Sequence, residues 1–135
     1  NNQVIEFTNE GAFEGESAFV RNLNGEYKEL EMITKNQFLI DNDKENAPVY
    51  LEFDYKSNID SVGLGLILTI SGETQEVSLT NFKTIDNWKH FYINLTQYVN
   101  LTNSDVYYKI YFKGLSETTD DYIGLDNIRL IYLEN

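Results

Sequence analysis

The sequence has no cysteine, one proline and one histidine among its 135 residues. Without cysteine, a disulfide scaffold, a thiolate nucleophile and a thiolate metal site are all excluded. Pro48 fits the first residue of a strand, or the approach to one, where a sheet tolerates proline. No hydrophobic run is long enough to cross a bilayer, and the most apolar stretch, residues 62–70, is predicted to be a buried strand.

Basic residues are scarce as well. Ten Lys and Arg stand against 22 Asp and Glu, and the formal net charge is -12. Such a chain repels phosphate backbones and anionic lipid, so we expect neither nucleic-acid binding nor membrane contact by this domain. Cations and neutral polar ligands stay compatible with this charge.

The residues that are present indicate a folded domain rich in strands. Hydrophobic residues make up 41% and aromatic residues 14%, with 10 Tyr and 8 Phe, which suits sheets with one solvated face. The length predicts a single domain covering residues 1–135. Because the chain starts at Asn1 without a signal peptide, we expect it to be one domain of a longer protein.

Strand patterns and turn signals alternate along the chain at the spacing of a sandwich. Residues 49–56 alternate between apolar and polar side chains, as a half-buried strand does. Residues 27–34 fit a strand or a helical stripe, and we favour a strand because the surroundings are β. Turns are predicted at residues 22–25, 71–74, 86–87 and 103–104, and a last loop at 114–120. The predicted fold is all-β, an antiparallel β-sandwich of jelly-roll type.

The longest strand-like run closes the chain at residues 122–133 and is interrupted by the acidic step Asp126-Asn127. An acidic step inside a strand requires hydrogen bonds or a cation. We expect this strand to close the sandwich against an opening strand at residues 4–7.

Three landmarks carry a resemblance to a known family. They are the opening residues 5–7 followed by 17–20, the pattern W-x-x-F-x-I-x-L at 88–95 followed by Tyr98, and the closing run Tyr122-Ile-Gly-Leu-Asp-Asn-Ile-Arg-Leu130. In this order they resemble a carbohydrate-binding-module-like jelly roll of the galactose-binding-like superfamily, as found in surface lipoproteins of Bacteroidetes-type bacteria. The resemblance implies glycan binding and an exported, extracellular or cell-surface location.

The resemblance also implies a structural Ca²⁺ between the opening strand, a nearby loop and the closing strand. Its ligands would be Glu6 and Asp126, together with Glu16 and backbone carbonyls, since Ca²⁺ takes six to eight oxygen ligands. The alternative is that Glu6 is a solvated strand residue and that Asp126 accepts backbone N–H bonds at a bulge.

A glycan-binding face follows from strand alternation. Side chains that point away from the predicted core combine rings with polar groups, and sugars need this mixture because they stack on rings and hydrogen-bond to fixed polar groups. The candidate ligand residues are Tyr50, His90, Tyr92, Asn94, Tyr107 and Tyr111. The alternative is that the tyrosines only stabilise an exposed sheet through cross-strand pairs. Trp88 is assigned to the core, by the inward spacing of its neighbours.

No catalytic motif is present, and we expect no enzyme. The chain lacks G-x-S-x-G, G-x-x-x-x-G-K and H-E-x-x-H. An enzyme would require convergent carboxylates in a cleft, or His90 at hydrogen-bond distance from one. The leading hypothesis is a non-catalytic carbohydrate-binding domain, and the alternative is a structural or adhesive module that contacts other proteins.

Overall fold

The computed structural model describes residues 2–4, 7–8, 13–14, 17–34, 37–39, 48–99 and 106–132. These residues form short N-terminal strands followed by longer ones, as the alternating pattern predicts. The elements are β1 (Asn2–Val4), β2 (Phe7–Thr8), β3 (Phe13–Glu14), β4 (Ser17–Arg21), β5 (Lys28–Thr34), β6 (Phe38–Leu39), β7 (Val49–Ser57), β8 (Val62–Ile70), β9 (Glu73–Phe82), β10 (Ile85–Asn94), α1 (Thr96–Val99), β11 (Val106–Ser116) and β12 (Tyr122–Tyr132). Among the described residues, no helix combines the length and hydrophobicity needed to span a membrane.

The strands form two antiparallel sheets. The front sheet has the order β10-β7-β12-β4-β3, with β1 also paired to β12. The back sheet has the order β2-β5-β11-β8-β9, with β6 also paired to β11. This arrangement confirms the predicted all-β jelly-roll sandwich, and residues 28–34 are a strand rather than a helix.

The core lies between the two sheets and follows the strand alternation. In β7, Leu51, Phe53 and Tyr55 are fully buried. The ring of Phe53 meets Phe112 of the back sheet edge to face, with 5.3 Å between centroids. Each such side chain contributes about 1.5–3 kcal/mol through burial, so the inward residues hold the two sheets together.

The closing strand is confirmed, whereas the opening strand is divided. β12 lies between β7 and β4, and Val4 pairs with Arg129 of β12. Phe7, however, pairs with Thr34 in the back sheet. The single strand predicted at residues 4–7 is therefore wrong, because the chain contributes to both sheets there.

Turn chemistry accounts for the connection between β8 and β9. Ser71 and Gly72 have φ of 51° and 83°, the pair of positive values that a tight two-residue hairpin of type I′ requires.

The turn predicted at 86–87 is wrong, because β10 already starts at Ile85. β11 continues to Ser116, so the loop predicted at residues 114–120 starts later than expected. The turn predicted at 103–104 lies outside the described residues.

Candidate functional site

The front face, meaning the side of the front sheet turned away from the core, brings polar residues of three strands into register. Asp54 of β7 pairs with His90 of β10, and Glu52 of β7 lies between Tyr92 of β10 and Arg129 of β12. Because alternate strand residues share a face, these side chains stand beside one another. Four of the predicted ligand residues, Tyr50, His90, Tyr92 and Asn94, belong to β7 and β10 on this face.

A continuous hydrogen-bond network crosses the front face. Arg129 donates from Nε to Glu52 Oε2 at 2.9 Å and from Nη2 to Glu52 Oε1 at 3.2 Å, a bidentate pair. His90 bonds Glu52 Oε1 through Nε2 at 2.7 Å and Asp54 Oδ1 through Nδ1. Asn127 donates from Nδ2 to Asp54 Oδ2 at 2.8 Å. The network holds all five side chains in fixed orientations.

A β-bulge in the closing strand gives the network its Asn127 contact. The pairing of β12 with β7 shifts register between Asp126 and Arg129, and Asn127 has φ of 51°. Asparagine tolerates this left-handed conformation better than most residues. A bulge re-aims side chains, and here it directs the amide of Asn127 to Asp54 and places Arg129 opposite Glu52.

At the bulge, the predicted calcium ligand Asp126 is engaged in a hydrogen bond. The Asp126 side chain accepts the N–H of Asn127 at 2.8 Å, which is the hydrogen-bonded alternative considered for this acidic step. The other two predicted ligands, Glu6 and Glu16, lie outside the described residues. No group of three or more acidic or histidine side chains among the described residues is arranged to hold a metal. Calcium stays a prediction, for which melting with and without a chelator is the test.

Electrostatics reinforce the network. The hydrogen bond to Asp54, together with that to Glu52, raises the pKa of His90 above its ordinary 6.5. The guanidinium of Arg129 is the main cause that lowers the pKa of Glu52, against the opposing effect of burial. Burial also opposes ionisation of Asp54, yet bonds from Asn127 and His90 lower its pKa. These interactions therefore favour the ionised form of both carboxylates and the positively charged imidazolium form of His90.

The prediction that Trp88 belongs to the core is wrong. Its side chain is 40% exposed and lies on the front face, with its ring 5.8 Å from that of Phe19. The ammonium of Lys56 stands 4.9 Å from the Trp88 ring centroid, a cation–π contact. Phe91 points inward, so strand alternation puts position 88 on the same outward side as His90. Strict alternation therefore predicts an outward Trp88 ring.

A second exposed ring lies on the other side of the histidine along β10. Tyr92 is 60% exposed, and its ring meets that of His90 edge to face at 4.9 Å. Trp88 and Tyr92 are four residues apart on one strand, which spans about 13 Å at 3.3 Å per residue. Two rings at this separation, with the polar network beside them, form an elongated amphipathic surface.

The other predicted ligand residues are less available or lie elsewhere. Asn94 Oδ1 accepts the N–H of Thr96 at 2.9 Å at the start of α1. Tyr107 and Tyr111 belong to β11, so they project from the back sheet on the opposite side of the molecule. Tyr111 is only 9% exposed, because its ring covers Gly65. The six residues therefore do not form one site.

His90 lies within hydrogen-bond distance of carboxylates, which is one of the two arrangements that an enzyme would require. The geometry of these contacts nevertheless suits binding better than catalysis. A general base needs a free ring nitrogen for the proton it takes. Here both nitrogens are occupied by carboxylates, which accept hydrogen bonds only. No serine or threonine hydroxyl contacts His90 among its bonds in the described part of the chain.

Comparison with known proteins identifies structures with a similar fold. No family model matches the sequence, and no curated protein matches it either. Solved structures of carbohydrate-binding modules of family 29 do match. A point mutant from this family shares 13% identity at a TM-score of 0.58, covering 98% of this chain and 91% of its own.

Two further matches are point mutants of the module CBM29-2 in complex with sugars. One holds mannohexaose, with 11% identity, a TM-score of 0.55 and coverage of 97% of this chain and 77% of that one. The other holds cellulohexaose, with 12% identity, a TM-score of 0.54 and the same coverages of 97% and 77%. At these identities the likeness establishes the jelly-roll fold that the sequence predicted.

Proposed function

We propose that this chain is a non-catalytic carbohydrate-binding domain and that the front face holds the glycan. One observation carries the proposal: the exposed rings of Trp88 and Tyr92 lie on either side of an ordered polar network on one sheet face. Pyranose C–H faces stack on such rings, while hydroxyl groups bond to polar groups whose orientation is already set. Little conformational entropy is then lost on binding.

The structural relatives support the class of ligand. Two of the similar modules are complexes with mannohexaose and cellulohexaose, which are linear and uncharged. A linear oligosaccharide matches two rings separated along one strand, and an uncharged one is not repelled by a chain with net charge -12. We therefore propose that the ligand is a neutral linear polysaccharide. We also propose that this domain belongs to an exported or cell-surface bacterial protein.

The test is calorimetric titration with mannohexaose and cellulohexaose, using a matched pair of variants. Tyr92→Ala and Tyr107→Ala each remove one exposed tyrosine, from the front and back faces respectively. We expect Tyr92→Ala to weaken binding about fivefold or more, and Tyr107→Ala to leave it unchanged.

Two results contradict the proposal in different ways. Equal loss in both variants removes the front face as the site. No binding of any saccharide in a broad oligosaccharide panel at millimolar concentration favours the alternative, a structural or adhesive module that contacts other proteins.

A further inference from the structure

The back sheet carries a depression that the front-face proposal does not use. Two glycines in β8, Gly63 and Gly65, leave gaps in the outer surface of this sheet. The ring of Tyr111 fills the gap at Gly65, where an added Cβ would lie 2.2 Å from the ring. Gly63 has no ring above it, and its nearest side-chain neighbour is the Asn81 amide, whose Oδ1 lies 3.3 Å from the corresponding Cβ position.

The back cavity, which Gly63 helps to line, has a volume of about 600 Å³. This lies within the range of about 300–1,000 Å³ that small-molecule sites occupy. Its lining combines apolar and polar groups from four strands and the neighbouring loops, and includes Tyr27, Glu29, Gly63, Asn81, Lys113 and Leu115. Tyr27 is 67% and Leu115 is 55% exposed, so an aromatic ring and an aliphatic side chain are both available to a ligand.

The charge around the cavity is unbalanced. Lys113 donates to Glu76 at 2.7 Å, lies 3.6 Å from Glu31, and also feels the charge of Glu29. One ammonium is thus shared by three carboxylates. Asp60 and Glu117 add further negative charge to the lining. An anionic ligand is disfavoured here, whereas a second cation would relieve the repulsion.

The carboxylates are dispersed around the cavity and do not converge. Within the described residues, no three acidic or histidine side chains are placed to hold a metal ion. Asp121 is already occupied, because its Oδ2 accepts hydrogen bonds from Ser116 and from the backbone of Glu117. Dispersed charge beside an exposed ring suits an organic cation, which gains both ion pairing and cation–π contact.

We propose that the back cavity is a second binding site, for a small ligand that carries a primary ammonium group on a compact body. An amino sugar and a short linear amine share this chemistry. In either case the ammonium pairs with Glu29 while the body rests against Tyr27 and Leu115. The site is separate from the front face and does not depend on the function proposed for it.

The experiment is an amide chemical-shift titration of the ¹⁵N-labelled protein with D-glucosamine, D-glucose and putrescine. We expect glucosamine to shift the amides of Gly63 and Gly114 in the cavity and to bind about tenfold more tightly than glucose, which lacks the ammonium. Glu29→Gln, which is isosteric, should weaken glucosamine binding about fivefold or more. Glu73→Gln, a charge control beside the hairpin of β8 and β9, should leave it unchanged.

The putrescine titration identifies the body of the ligand. Binding as tight as that of glucosamine supports the ammonium site and assigns it to linear amines, while weaker binding supports an amino sugar. Equal affinity for glucose and glucosamine overturns the proposal. So do equal effects of the two glutamate variants, or shifts that appear around Trp88 and Tyr92 in place of the cavity. Glu29 is exposed, so its variant is expected to fold.

Discussion

The two outer faces of the sandwich are built from similar residue types and end up with different surfaces. On the front face, Trp88 and Tyr92 stay exposed beside the network of His90. On the back face, Tyr111 is pressed onto Gly65 and has the Lys113 ammonium 4.5 Å from its ring centroid. An outward direction in a strand therefore does not make a side chain available, because a glycine on the neighbouring strand can accept the ring.

The faces also differ in how they pair their charges. Front-face carboxylates Glu52 and Asp54 meet Arg129 and His90 across adjacent strands. On the back face several carboxylates gather around Lys113. The front-face network thus balances two carboxylates with two cations when His90 is protonated, whereas the carboxylates around Lys113 on the back face outnumber it. This contrast leads us to assign a neutral glycan to one and a cationic ligand to the other.

The largest expected difference between the faces follows from removing one large ring from each of them. Tyr111→Ala should lower the free energy of unfolding by about 1.5–3 kcal/mol, since a buried ring is lost, and should leave glycan affinity unchanged. Trp88→Ala should weaken glycan binding about tenfold with a smaller loss of stability. Denaturant unfolding and calorimetry measure the two effects, and a reversed pattern would show that the faces are wrongly assigned.

The next comparison removes one carboxylate charge from each face. Glu52 is 4% exposed and accepts three hydrogen bonds, so Glu52→Gln should lower the free energy of unfolding by about 1–3 kcal/mol. Glu76→Gln removes the exposed partner of Lys113 and should cost at most about 1 kcal/mol. Urea unfolding of both variants is the measurement, and equal losses would show that the front-face network adds no more stability than the exposed ion pair of Lys113.

The smallest expected effect is the dependence of the front face on pH. Since the folded pKa of His90 is raised above 6.5, its stabilising contribution is complete below pH 6.5 and is lost as pH rises through the folded value. The difference in melting midpoint between wild type and His90→Gln should therefore shrink above neutral pH. His90 is the only histidine, so its proton NMR titration is unambiguous, and a midpoint at or below 6.5 would contradict the network.

Much of the sandwich could be predicted because alternation is local information. The pattern of residues 49–56 places Glu52 and Asp54 on the side opposite Leu51 and Phe53, and the structure agrees. Counting back from Phe91 by the same rule also places Trp88 outward, so local alternation is sufficient to put this ring on the front face.

The bulge in the closing strand can also be recognised in the sequence, from a change in the alternation of its hydrophobic residues. Inward residues of the closing strand have odd numbers before the acidic step, as in Ile123 and Leu125, and even numbers after it, as in Ile128 and Leu130. This change of parity marks an extra residue in the strand. It indicates that Arg129 faces outward, although nothing local indicates that Glu52 is its partner.

The fold class, the longer strands and the acidic closing strand can be predicted from sequence, because strand alternation and turn chemistry act between residues close in the chain. Tertiary structure decides which outward residues share a face, that His90 joins Glu52 to Asp54, and that the Tyr111 ring covers Gly65 while the Asn81 amide borders Gly63. Those outcomes depend on strand order and register between segments tens of residues apart, and no local pattern carries that information.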